Sequence, residues 1–276
     1  MTNYQRFGSA DLQDLARRIR RDVLLMTSRG NSSHVGSALG IADIMAALYG
    51  NVLDVRPADP QWLNRDRFIL SKGHAGAAVY AALAETGFFD ASLLETHCSD
   101  GSQLSGHVSH KGVRGVDIST GSLGHGLAIG CGIALAAKWN SQRYRTFCLV
   151  SDGECNEGSV WEAIMFASHH GLDNLVCIVD CNGLQSLTSV AETLNMEPFG
   201  SKWEVFGWHA VHVDGHDISQ LTEVLDTTPV DGKPSVVLAN TVKGRGVSFM
   251  ENQVLWHYRS PQGSELAAAL SEVEAP

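Results

Sequence analysis

Four short, almost uninterrupted apolar runs, each closing on a polar, turn-forming cluster, restrict this chain more than any other feature. They are residues 146–150 before Ser151-Asp152-Gly153, 175–179 before Asp180-Cys181-Asn182, 210–213 before Asp214-Gly215-His216-Asp217, and 236–239 before Asn240-Thr241. A strand with one face in water alternates apolar and polar residues; near-continuous apolar strands are covered on both faces and belong to parallel sheets. A helical pattern at residues 127–139 precedes the first run and another at 159–170 separates it from the second, as parallel strands require. The expectation is an α/β fold, a parallel sheet with helices on both faces. Ligands of such sheets collect at the carboxyl ends of the strands, where this chain concentrates its polar residues.

Upstream, apolar positions recur at helical spacing over 11–28, and that helix delivers the loop Gly30-Asn31-Ser32-Ser33. Residues 39–49 and 75–85 also read as helices, the second entered through Ser71-Lys72-Gly73-His74. Residues 101–126, rich in Gly, Ser and His, read as one long loop or several short ones. One domain is expected over 1–262. The tail 263–276, GSELAAALSEVEAP, has little to pack and is expected to fray.

The net charge of −10, from 30 acidic and 20 basic residues, argues against nucleic acid or an anionic membrane as the main partner. It leaves room for a small anion, because glycine amides, histidines and a metal can neutralise a diphosphate locally. No stretch approaches the roughly 20 apolar residues of a membrane span, and MTNYQRFGSADLQDLARR lacks the apolar core of a signal peptide, so a cytosolic location is expected. The six cysteines form no CxxC pair and read as buried, reduced, small apolar residues.

The most specific chemistry lies in SDGECNEG (151–158) and VDCNGLQ (179–185), which end consecutive predicted strands and set Asp152 and Asn182 thirty residues apart. With a single helix between them, both strand ends face one crevice. Magnesium prefers six oxygens and keeps water and phosphate among them, so Asp152, Asn182 and the Leu184 carbonyl suffice as the protein's share; calcium or manganese would accept the same donors. Gly153 lets backbone N–H groups approach a phosphate, and the helix after Glu157 offers its N-terminus. Alternatively, Asp152 and Asn182 are ordinary turn residues that cap helices.

This pairing resembles the thiamine-diphosphate fingerprint, Gly-Asp-Gly followed some thirty residues later by Asn, with Ser151 in place of the first glycine. From about residue 11 to 262 the chain is similar to the transketolase family in four further segments: NSSHVGSALGIAD (31–43), DRFILSKGHA (66–75), GVDISTGSLGHGLAIGCG (115–132) and KGRGVSFMENQVLWHYRSP (243–261). The resemblance implies the family's diphosphate-binding domain. It further implies that Gly121, Ser122, Leu123, Gly124, Gly153, Glu154 and His74 shape the cofactor site. By the same resemblance His34, His74, His107 and His257 border the reacting carbon and the sugar hydroxyls, where a near-neutral imidazole can move protons. His97, His169, His170, His209 and His212 lack such a setting. Val108, Ser109, His110 and His125 depart from the family pattern where a sugar would lie, and Lys72 recurs in two-chain members.

In this family the cofactor carries the carbanion chemistry and a glutamate of a second, pyrimidine-binding domain activates it. The resemblance therefore implies a separate pyrimidine-domain subunit, an α2β2 assembly, and ketol transfer from a ketose to an aldose only with that partner present. Glu157, at the matching interface position, would communicate with the activating glutamate; alternatively it is an acid favoured by the helix dipole. Other readings are half of a 1-deoxyxylulose-5-phosphate synthase-like enzyme, the α chain of a 2-oxoacid dehydrogenase, or a non-catalytic thiamine-diphosphate-binding module.

Overall fold

The computed structural model describes residues 6–228, 230 and 232–275. In chain order it comprises α1 (Ser9–Arg29), α2 (Val35–Gly40), α3 (Ala42–Ala47), β1 (Arg67–Leu70), α4 (Gly76–Glu85), α5 (Gly126–Trp139), β2 (Thr146–Ser151), α6 (Gly158–His169), β3 (Leu175–Cys181), α7 (Val190–Thr193), α8 (Phe199–Val205), β4 (His209–Asp214), α9 (Ile218–Thr227), β5 (Ser235–Asn240) and α10 (Ser264–Glu274). The five strands are all parallel and lie in the order β1-β2-β3-β5-β4.

The alternation of strand side chains explains why both faces are covered. Phe147, Leu149, Val176, Ile178, Val237 and Ala239 point into one core with α1 to α4 and α9. Their neighbours Cys148, Val150, Cys177, Val179, Val236 and Leu238 point into the other, with α5, α6 and α8. Each fully buried aliphatic side chain there contributes about 1.5–3 kcal/mol relative to exposure. The expected fold class is thus observed.

Register then builds the site. Ser151 on β2 pairs with Asp180 on β3, and Cys181 pairs with Asn240 on β5, so three strands release their polar tails at one level. The position of β5 between β3 and β4 was not legible in the sequence order.

Two expectations are corrected and one strand is added. The helix read over 39–49 is broken at Ile41 (φ −101°, ψ 7°) into α2 and α3, followed by a π turn over Leu48–Val52. At the break Gly40 presses on the loop after β5, where an added Cβ would lie 3.1 Å from the Val242 carbonyl oxygen. Strand β1, four residues long, is too short to show a period and passed unread before the turn at Ser71. The tail does not fray: α10 buries Ala269 and Val273, packs on α1, and accepts from the Ser248 N–H through Glu272 at 2.6 Å. Its apolar stripe had a partner 250 residues away that the local pattern could not reveal.

Replacing Val273 by aspartate is expected to place an unpaired carboxylate in that contact, costing about 2–3 kcal/mol and lowering Tm by several degrees. An unchanged melting curve would return the tail to the frayed state first expected.

All six thiols are free. Burial pushes Cys131 up to about 12 and holds Cys148, Cys155 and Cys177 well above the ordinary thiol range. Cys98 differs from the expectation in being exposed.

Candidate functional site

At the carboxyl edge of the sheet a cavity of about 160 Å³ is lined by residues that include Lys72, His74, Gly153, Asn182, Lys243 and His257. Leu123, Glu154, Leu184 and Gln185 complete much of its wall. Four of the five strand ends add a part: Lys72 and His74 follow β1, Gly153 and Glu154 follow β2, Asn182 follows β3, and Lys243 follows β5.

Asp152 leaves β2 with Oδ1 accepting the Gly153 N–H (2.7 Å) and Oδ2 accepting the Gly183 N–H from the loop after β3 (2.7 Å). Its carboxyl is raised to about 6, first by burial and then by the charge of Asp180. Asn182 gives its amide N–H to Asp180 Oδ2 (2.6 Å), so its Oδ1 turns the other way and accepts the Leu184 N–H (3.0 Å). A larger residue at Gly153 would have to displace Gln185, since an added Cβ would stand 2.8 Å from its Cγ.

Asp152, Asn182 and Leu184 offer a carboxylate, an amide oxygen and a carbonyl, an oxygen set suited to a hard divalent cation. Each oxygen that accepts one N–H retains a further lone pair. Among the described residues no group of three His, Cys, Asp or Glu side chains could hold a metal, so a cation here would complete its shell with anion oxygens or water. Asn182 and Leu184 line the cavity already described, whereas Asp152 lines an adjoining one of about 240 Å³ with Cys181, Glu197 and Asn240. The three donors stand at the wall between them.

One buried cation of the cavity stands without a counter-ion among the described residues. Lys243 is 2% exposed and has no carboxylate within ion-pair distance among the described residues. Its ammonium meets the Gln185 carbonyl (3.1 Å) and His257 Nδ1 (3.1 Å), and burial, reinforced by the charge of Lys72, brings it down to about 8. A buried cation facing carbonyls rather than a counter-ion is set to meet an anion. Lys72, fully buried, instead pairs with Asp180, whose carboxylate also accepts from Thr241 Oγ1. Burial raises the Asp180 pKa, but Lys72 and these hydrogen bonds outweigh it and hold the carboxyl below its ordinary value.

The four histidines singled out in the sequence come together. The His34 ring lies 5.0 Å from His74, 5.5 Å from His107 and 4.7 Å from His257, and the His74 and His257 centroids are 5.5 Å apart. His34 is held in the left-handed region (φ 72°), with its N–H bonded to the His257 carbonyl (2.8 Å). For three of them the ionisation differs from the near-neutral expectation. Burial lowers His34 to about 4 and His257 to about 3, and it holds His74 well below 6.5. At neutral pH these three are uncharged hydrogen-bonding groups.

Other predicted residues brace the wall or stand around it. Glu154 is fully buried and turns its carboxylate to Ser71 Oγ, the Gly124 N–H (2.9 Å) and the Ser151 N–H (3.3 Å), bracing the 121–124 loop against β2. Gly121 faces His107, with 3.2 Å between an added Cβ and His107 Cδ2, and Gly124 adopts φ 84° against Glu157 and Ser159. Ser122 and Glu157 are exposed at the rim, Glu157 as the residue preceding α6. Asp180 and Lys243 were not singled out in the sequence. Their signal was a charged residue ending, or just following, an otherwise apolar strand.

Acidification should report the buried histidines. His97, 1% exposed, is lowered to about 4 by burial. A histidine whose folded pKa is depressed contributes stability fully present above about 6.5 and lost as pH falls towards about 4. Stability should therefore decline across that window, and His97→Gln should remove up to about 3 kcal/mol of the decline by pH 4. Identical pH–melting profiles for the two proteins would refute this.

Comparison with known proteins places this geometry in context. Residues 12–272 match the family described as transketolase, thiamine diphosphate binding domain. The 6-deoxy-6-sulfo-D-fructose transketolase subunit SqwG of Clostridium sp. (strain MSTE9) is 38% identical over 96% of both chains. An apulose-4-phosphate transketolase subunit of Actinobacillus succinogenes is 39% identical, again over 96% of both. Human transketolase is 39% identical over 89% of this chain but only 39% of its own length. Among solved structures, transketolase from Campylobacter jejuni superposes with a TM-score of 0.90 at 31% identity, covering 97% of this chain and 43% of that one. The chain thus spans about two fifths of the length of these longer proteins.

Proposed function

This chain belongs to the transketolase family, matching its thiamine-diphosphate-binding domain, and from that premise we propose that it is the diphosphate-binding subunit of a two-chain transketolase. The observation that carries the reading is the placement of Asp152 and Asn182 at the aligned ends of neighbouring parallel strands, beside a cavity lined by Lys243 and by His74 and His257 of the histidine cluster. Thiamine diphosphate, when bound, supplies the carbanion chemistry that the protein's own side chains lack.

The chain's residues have three tasks in this reading. Asp152, Asn182 and the Leu184 carbonyl hold magnesium, or calcium or manganese, against the diphosphate. The Gly153 backbone and the Lys243 ammonium meet the phosphate oxygens. His34, His74, His107 and His257 hydrogen-bond sugar hydroxyls, and an anion bound beside His34, His74 and His257 raises the proton affinity of these three towards the range in which they exchange protons. The reaction is transfer of a two-carbon ketol unit from a ketose, phosphorylated or otherwise anionic, to an aldose. The names of the two shorter relatives, a sulfofructose and an apulose phosphate transketolase, support an anionic donor.

An α2β2 assembly with a separate pyrimidine-domain subunit completes the proposal. Its support is that relatives of matching length are named as subunits, and that Glu157 stands exposed at the rim, where a partner can reach it. No helix among the described residues is long and apolar enough to cross a membrane, and a cytosolic location is part of the same proposal.

The test is purification of the tagged chain from its host with magnesium present, native mass spectrometry of the complex, and product analysis. A second chain arriving with thiamine diphosphate, and ketose-plus-aldose turnover, is the expected result. Turnover of pyruvate plus an aldehyde would move the chain to the synthase or dehydrogenase reading. Cofactor binding without turnover in the presence of the partner would make it a binding module.

A further inference from the structure

A hydrogen-bonded network joins the backbone beside Lys243 to the loop after β4 and to α1 and α3. His216, in the loop after β4, accepts the Val242 N–H at Nε2 (2.8 Å). That nitrogen is therefore unprotonated, and Nδ1 carries the hydrogen that it donates to Asp43 Oδ2 on α3 (2.7 Å). Arg20 of α1 pairs with the same carboxylate oxygen. Asp43 is 5% exposed, and the two partners outweigh burial to hold its carboxyl below the ordinary value. The loops after β4 and β5 approach closely because residue 215 is glycine: its N–H meets the Asn240 carbonyl (2.7 Å), and an added Cβ would stand 2.4 Å from Thr241 Cγ2.

We infer that His216 is a positioning residue for the anion-holding end of the cavity: through the Val242 N–H it fixes the backbone that aims Lys243. The chain from Thr241 to Gly244 is tied to β3 by the Thr241 N–H on the Cys181 carbonyl (3.2 Å), and to α2 by the Gly244 N–H on the Gly36 carbonyl (2.9 Å). Between them the Val242 N–H is the tie to β4, and its acceptor is a side chain buttressed by a buried carboxylate and a guanidinium. Supporting residues of this kind set a site's geometry when their own rotamers are locked by hydrogen bonds. This assignment rests on the cavity being the diphosphate site, whereas the structural tie itself does not.

Two substitutions separate positioning from simple burial. In His216→Asn the amide nitrogen stands near Nδ1 and keeps the donor to Asp43, but nothing reaches Val242. In His216→Gln the side-chain oxygen stands near Nε2 and keeps the acceptor for Val242. Amide hydrogen exchange at Val242, read by NMR on the full chain without ligand, is expected to quicken at least about tenfold in the Asn variant and to stay near the parent in the Gln variant. Inorganic diphosphate with magnesium, titrated calorimetrically, should bind about tenfold more weakly to the Asn variant and within about twofold of the parent to the Gln variant.

Val242 exchange unchanged in the Asn variant, or as fast in Gln as in Asn, overturns the tie. Exchange that follows the prediction while diphosphate affinity stays equal in all three proteins overturns the role in anion binding and leaves the proposed function standing. A parent chain that binds no diphosphate overturns the cofactor reading, and with it that role, while exchange still decides the tie.

Discussion

Asp152→Asn is expected to weaken binding of magnesium and thiamine diphosphate at least about a hundredfold, while leaving the unliganded chain within a few degrees of its parent Tm. Two opposed terms keep the stability change small. The parent carboxyl is raised to about 6, so the folded state prefers its protonated form. The resulting stabilisation is fully present below about 3.8 and lost as pH rises through about 6, leaving the ionised group unfavourable by about 3 kcal/mol at pH 8. Asparagine removes that burden. It also turns an amide NH2 towards one of the two backbone N–H groups that the carboxylate accepts, costing about 1–3 kcal/mol.

Binding has no such compensation, because the sole carboxylate of the proposed donor set is gone. Calorimetry with magnesium and thiamine diphosphate beside thermal melts reads both quantities. If Asp152 were only a turn residue, melting would carry the whole effect and affinity would be unchanged.

The second large effect concerns the buried pair under the cavity. Lys72→Met should destabilise the chain by about 3–5 kcal/mol, or roughly 10 °C in Tm, because Asp180 would keep a buried charge without its cation. Asp180→Asn should be costly for the reciprocal reason. The double variant is expected to recover much of the stability, since removing both charges removes the need for either. It should not recover the site, because Asp180 also receives the Asn182 amide and the Thr241 hydroxyl and so sets where Asn182 Oδ1 points. Denaturant unfolding of the three variants closes the cycle. Additive losses in the double variant would show that the pair is not coupled.

Much of this protein was written locally. The apolar runs fixed four of the five strands to within two residues, and their lack of alternation required a sheet covered on both faces, as found. The thirty-residue interval between Asp152 and Asn182 followed from one helix between consecutive parallel strands. The histidine cluster was reached only through resemblance, because its members lie on separate loops and no spacing joins them.

What local pattern omitted, tertiary structure decided. Strand β5 lies between β3 and β4, which brings Thr241 onto Asp180 and Lys243 to the cavity. Arg20, Asp43 and His216 come from three distant segments and meet only because α1 and α3 pack on the face nearest β4 and β5. Lys72 and Asp180 stand 108 residues apart and share one buried contact. Helix α10 is ordered by α1, not by its own composition. The physical reason is that each depends on a partner distant in the chain, an apolar face for α10 and a charged or polar group for the others. Periodicity and turn chemistry act over a few residues and were legible, whereas a buried charge is tolerable only beside a partner whose position is set by strand order and helix packing.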